Sequence, residues 1–176
     1  MSGFADEAMV DLMGSLMRKG GAHALLAYLA ARVPHRYTAL YRACGDRLRS
    51  VVLLDKLGIH PIFLQDVPMD ESYCKYAIRD GSFLTDDARV DTRLKGHPLQ
   101  QLVVSYFSVP VFGVDGAVWG TVSHFDTECR KLPDHEFELL RAAAAVLKAD
   151  LLEPRSVEAT TSRPFVSGAS GASGAA

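Results

Sequence analysis

The sequence predicts an α+β fold: a central antiparallel sheet with terminal helices packed on one of its faces. Three observations carry this. Two β-rich apolar segments within Ser105–Asp126 flank the turn Val114-Asp115-Gly116, and an Asp-Gly turn between such segments is a strong hairpin signal. A second β-rich pair flanks Gly45-Asp46. Amphipathic helical patterns stand at both ends of the chain, and helices segregated from consecutive hairpins make a two-layer domain.

The elements follow in order. Met9, Leu12, Met13 and Leu16 have the i, i+3, i+4, i+7 spacing of an amphipathic helix, interrupted at Lys19-Gly20-Gly21. Ala22, Leu25, Leu26, Leu29 and Val33 form a second stripe, which Pro34 ends. Strands are expected at 36–42 and 47–54, with a loop over 55–61 and a short strand or extended segment at 62–67. Asp70 is placed to cap a short helix from Glu71 to Asp80, with Gly81 as its stop. An extended stretch over 82–85 leads into a loop over 86–101 with at most one helical turn. After the hairpin, a helix is expected from Pro133 to Leu152, with Asp134 and Glu136 at its positive end. The repeated Gly-Ala-Ser tract that closes the chain predicts a disordered tail over 154–176.

Composition narrows the function classes. The chain has 176 residues, 48% hydrophobic and 23% charged, a balance suited to one well-filled domain. A net charge of −2 leaves no basic stripe, so a nucleic-acid partner is not expected. No apolar run is long enough to span a bilayer, and the acidic N-terminus is unlike a signal peptide, so a cytoplasmic location and no membrane partner are expected. Cys44, Cys74 and Cys129 lie far apart with no zinc spacing; reduced thiols and no metal are expected.

Several stretches together resemble a GAF domain: 36–42, Val67-Pro-Met-Asp-Glu-Ser-Tyr-Cys-Lys-Tyr-Ala-Ile78 and Asp80-Gly-Ser-Phe-Leu-Thr-Asp-Asp-Ala-Arg-Val-Asp91. They continue with Ser108-Val-Pro-Val111, Trp119-Gly-Thr-Val-Ser-His-Phe-Asp126 and Asp134-His-Glu-Phe-Glu-Leu-Leu140. The resemblance spans roughly 22–151 and divides the chain into an N-terminal amphipathic helix (1–19), a GAF domain (20–153) and the tail (154–176). It implies about six antiparallel strands, a pocket between the sheet and segments 70–103, and dimers through the terminal helices. No segment is long enough for an output domain, so a sensor of this kind would signal through a separate protein.

Candidate ligand-binding residues are Tyr73, Cys74, Tyr76, Tyr106, Ser108 and His124. Tyr106 and Ser108 share one face of their strand by two-residue alternation, and paired hydroxyls suit a pocket better than a helix-covered face. Tyr73 and Tyr76 offer an apolar body and a polar tip. Cys74 stands near a helix start, where cysteines can serve as nucleophiles; the alternative is a small buried hydrophobe. His124 either lies under the helices as a hydrogen-bonded structural residue or, with the faces reversed, lines the pocket. No catalytic constellation or cofactor is expected. The favoured reading is a small-molecule sensor with an unidentified ligand. The alternative is a thiol-dependent redox enzyme of the GAF fold, methionine-sulfoxide-reductase-like, using Cys74.

Overall fold

A computed structural model describes residues 3–59 and 61–147. Its elements in chain order are α1 (Gly3–Arg32), β1 (Tyr37–Cys44), β2 (Arg47–Asp55), β3 (Asp66–Pro68), α2 (Cys74–Asp80), β4 (Phe83–Thr85), β5 (Ser105–Phe112), β6 (Val118–Asp126) and α3 (Asp134–Val146), with 3-10 turns at Ile62–Leu64, Met69–Glu71 and Thr92–Leu94. The six strands form one sheet in the order β3-β2-β1-β6-β5-β4, every neighbouring pair antiparallel. The α+β architecture expected from the hairpins is the one observed.

Strand alternation divides the core in two. Leu40, Phe107, Val109, Val111 and Val122 point to the face covered by α1 and α3, where they meet Leu25, Leu26, Leu29, Phe137 and Leu140. Tyr37, Ala39, Tyr41, Tyr106 and Phe125 point the other way, towards α2 and the long connections. The two terminal helices are also joined by charge: the Arg32 guanidinium donates to both carboxylate oxygens of Glu136, at 2.9 and 2.7 Å.

Several local boundaries differ from the sequence expectation. The break at Lys19-Gly20-Gly21 is a kink: Gly21 has φ 64 and ψ −161, and helix continues on both sides. Residues 62–64 form a 3-10 turn, and the short strand begins later, at Asp66. Asp70 does not cap α2. It sits in the 3-10 turn before it, and the Ser72 hydroxyl accepts the Cys74 amide at 3.0 Å. Gly81, at φ 81, stops the helix in the left-handed conformation as expected. The loop over 86–101 holds one 3-10 turn. The closing helix, expected to reach Leu152, ends at Val146 with Leu147 as its non-helical cap; residues 148–152 and the tail over 154–176 lie outside the described residues.

Gly120 is required by close approach. A Cβ there would stand 1.9 Å from the backbone oxygen of Tyr41 on β1. The pairing shifts register between Leu40 and Tyr41 on the other side of the same strand. The two features fix Tyr41, whose side chain reaches into the site described next.

Candidate functional site

The site lies on the sheet face turned away from α1 and α3. Its floor is built from Tyr41 of β1, Leu48 of β2, Tyr106 of β5 and Phe125 of β6. The roof comes from the connections, with Phe63, Leu64, Val67, Ser72, Tyr73, Cys74, Leu99 and Val103. Between them is a cavity of about 50 Å³. That volume admits a water or two but falls well short of the roughly 300 Å³ of a drug-sized ligand site. Aromatic rings take up most of the remaining space. Tyr73 meets Tyr106 edge-on at 5.3 Å between centroids and His97 at 4.6 Å, and Tyr106 lies 6.0 Å from Phe125.

The lining hydroxyls are held by internal hydrogen bonds. Tyr41 donates to the Leu64 carbonyl at 2.7 Å, which pins the first 3-10 turn to the sheet. Tyr73 donates to the Val103 carbonyl at 3.3 Å. The Cys74 thiol and the Tyr106 hydroxyl share a hydrogen bond at 2.9 Å, and Thr121 donates to the same sulfur at 3.2 Å. Burial pushes the phenols of Tyr41, Tyr73 and Tyr106 above their ordinary range, so all three remain neutral. Among the described residues no Asp, Glu, Lys, Arg or His side chain lines the cavity. Among the described residues no group of three or more His, Cys, Asp or Glu could hold a metal ion.

The folds of solved proteins place this arrangement. The GAF domain of an Acinetobacter phosphoenolpyruvate-protein phosphotransferase is similar at a TM-score of 0.66 and 13% identity, over 86% of this chain and 94% of that one. The chromophore-binding domain of a bacteriophytochrome from R. palustris matches at a TM-score of 0.62 and 11% identity. That match covers 84% of this chain, which spans only 60% of that one. The domain has a GAF fold. The free methionine-R-sulfoxide reductase of Neisseria meningitidis shares this fold, at a TM-score of 0.61 and 15% identity over 84% of this chain and 86% of the enzyme. No family model matches the sequence, and no curated protein matches it.

Within the GAF fold, the six candidate residues separate. Tyr73, Cys74 and Tyr106 line the cavity. Tyr76 shares the side of α2 but packs on Phe83 at 4.9 Å between centroids and lies outside the lining. Ser108 shares Tyr106's face, yet its hydroxyl donates to the Val122 carbonyl at 3.2 Å and it too lies outside the lining. His124 is on the opposite face. It pairs in register with Thr38 and Phe107, and its Nδ1 lies 2.8 Å from the Thr38 hydroxyl. Its assignment to the pocket is therefore corrected: strand alternation from Phe125 turns it under the helices.

There it stacks with His35 at 6.0 Å between centroids, and both are fully shielded, at 1% and 0% exposure. Neither ring nitrogen of His35 has a hydrogen-bond partner among the described residues. Burial holds His35 down at about 4 and His124 at about 3, against the attraction of Asp126 on His35. The pair is neutral and structural at neutral pH.

Tyr41, Phe63, Leu64 and Val103 are among the lining residues that sequence reasoning missed. Tyr41 carried a usable signal, because strand alternation places it with Tyr37 on the face opposite Leu40. The others sit on irregular connections whose direction no periodicity records. A larger furrow, about 510 Å³, runs between α3 and the β5–β6 hairpin. It is lined partly by exposed Phe112 and Val114 and contains none of the thiol and hydroxyl groups that define the smaller cavity.

Proposed function

We propose that this GAF-fold domain is a small-molecule-binding sensor, with its site in the cavity between Tyr106 and Cys74 on one side and Leu64 and Val103 on the other. The observation that carries this reading is an aromatic-walled space bearing a thiol–phenol pair, placed where the short helix α2 and irregular segments, rather than the terminal helices, cover the sheet. Loops over a rigid sheet are where folds of this kind carry function. The output passes to a separate protein, and the terminal helices serve as a homodimer surface.

A thermal-shift screen of a metabolite library, run beside native mass spectrometry of the purified chain, tests the reading. A true ligand at a hundred times its dissociation constant raises stability by about 2.7 kcal/mol. Its effect disappears in Val103→Trp, which fills the cavity. A melting point that no compound moves, with nothing carried through purification, contradicts the proposal.

One observation favours a second reading. Cys74 is buried at 2% exposure and lines the cavity of a domain whose fold is shared with free methionine-R-sulfoxide reductases. The Cys74 sulfur would then attack the sulfoxide sulfur and take its oxygen as a sulfenic acid while the thioether leaves; a second thiol would form a disulfide with Cys74 and release water, and an external dithiol would reduce that disulfide. Cys44 ends β1 and Cys129 follows β6 beside the start of β1, so those two stand on the order of 20 Å apart along the strand. At most one of them can reach Cys74 without rearrangement. Reductase activity that survives Cys74→Ser removes this reading.

A further inference from the structure

The cavity's walls say what kind of molecule it admits, on the reading that the cavity is the binding site. We infer that the ligand is a small, neutral, largely apolar molecule, aromatic by preference, with at most one hydroxyl or N–H donor.

Three features lead there. First, among the described residues no charged side chain lines the space, and Lys75, Arg79 and Arg93 are engaged elsewhere: Lys75 and Arg79 lie over the Tyr76 ring and Arg93 over Phe83. A carboxylate, phosphate or ammonium taken inside would lose its water and meet no counter-charge. Second, two of the three lining phenols already spend their protons, and the third, Tyr106, shares its hydrogen bond with the Cys74 thiol. Tyr41 donates to Leu64 and Tyr73 to Val103. What remains on those oxygens is lone-pair capacity, which suits an incoming donor rather than an acceptor. Third, Tyr73, Tyr106, Phe125 and Phe63 present ring faces and edges, which an aromatic ring engages by offset or edge-on packing.

Size sets the route of entry. A cavity of about 50 Å³ must widen for even a single ring, since an engineered cavity that holds benzene is nearer 150 Å³. The most exposed side chain of the lining, Phe63, stands on the 3-10 turn at Ile62–Leu64, next to the Leu64 carbonyl that Tyr41 holds. The turn sits on the connection from β2 to β3, where Leu57, Ile59, Ile62 and Phe63 are 60–82% exposed. Phe63 is both exposed and part of the lining. Outward displacement of Phe63 adds the needed volume, and the exposed apolar side chains beside it supply surface to cover the occupant.

The test is isothermal titration calorimetry of the full chain with p-cresol, benzoate and free methionine sulfoxide. These compare one neutral donor-bearing ring with an anionic ring and a zwitterion. The inference expects p-cresol to bind and both charged probes to bind at least about tenfold more weakly. It also expects p-cresol binding to be lost in Val103→Trp and tightened in Phe63→Ala. Stronger binding of benzoate or methionine sulfoxide, abolished by Val103→Trp, overturns the ligand class while leaving the site in place. Binding of p-cresol unchanged by Val103→Trp, or no binding by any of the three, removes both the class and the site.

Discussion

Lowering the pH below 6.5 is expected to destabilise this domain steeply, and the cause is the pair His35–His124. Both rings are neutral in the folded protein, with folded pKa values near 4 and 3. In the unfolded chain each titrates near 6.5. The folded values are depressed, so the unfolded state binds protons first as the pH falls, and stability drops through the window from 6.5 to about 4. Each histidine costs about 1.4 kcal/mol per pH unit inside that window. At pH 5 the pair together removes about 4 kcal/mol, a large share of the roughly 5–15 kcal/mol that holds a domain folded. Carboxylates do not confuse the window. Asp87, Asp91 and Asp126 have pKa values depressed by Arg89, by Arg93, and by the Arg36 amide and Arg130 respectively, so their contributions begin to be lost only as the pH falls through the ordinary carboxylate value of 3.8, beneath the assayed range. His97 is also lowered by burial and adds a smaller effect of the same sign. The assay is urea denaturation of the wild type and of His35→Leu/His124→Leu at half-unit steps from pH 7.5 to 4.5. The wild type should lose stability along this slope, and the double variant should keep only the residue due to His97. A wild-type curve flat from pH 7 to 5 would refute the claim that both rings are buried neutral.

Other perturbations act on the same framework. Gly120→Ala forces a Cβ into the Tyr41 backbone oxygen, 1.9 Å away, and should cost about 3 kcal/mol or more in urea melts, since the β1–β6 ladder must part to admit it. Leu140→Ala empties a fully buried position between α3 and the sheet and should cost about 2–5 kcal/mol by the same measurement. Tyr41→Phe removes the hydroxyl that holds Leu64. Global stability should fall by about 1 kcal/mol, while hydrogen exchange at residues 62–67 accelerates more than elsewhere.

The sheet was legible because its signals are local. The Asp115-Gly116 turn and the Gly45-Asp46 turn each fix a hairpin, and two-residue alternation from Leu40 or Val122 assigns faces without further information. The same alternation was available for His124, but choosing its face needed the identity of the layer beyond it. That is set by where α1 and α3 settle, not by the strand. The roof was the least legible part. Leu64, Leu99 and Val103 lie on connections with no period, and they reach the cavity through long-range contacts: the Tyr41 bond to Leu64 spans 23 residues and the Tyr73 bond to Val103 spans 30. Asp70 shows the limit of capping rules. It had the right residue type, but the 3-10 turn at Met69–Glu71 displaced the helix start to Cys74, whose amide the Ser72 hydroxyl accepts.

The central claim is that a small molecule occupies the space between Tyr106 and Leu64. The most direct measurement is a methyl-resolved NMR titration of the full chain with p-cresol. The account predicts saturable shifts confined to Leu48, Leu64, Val67, Leu99 and Val103, with the helix-side methyls of Leu40, Val109 and Val122 unmoved. Shifts centred instead on Val109 and Val114 along the furrow beside α3, or none at all, would contradict it.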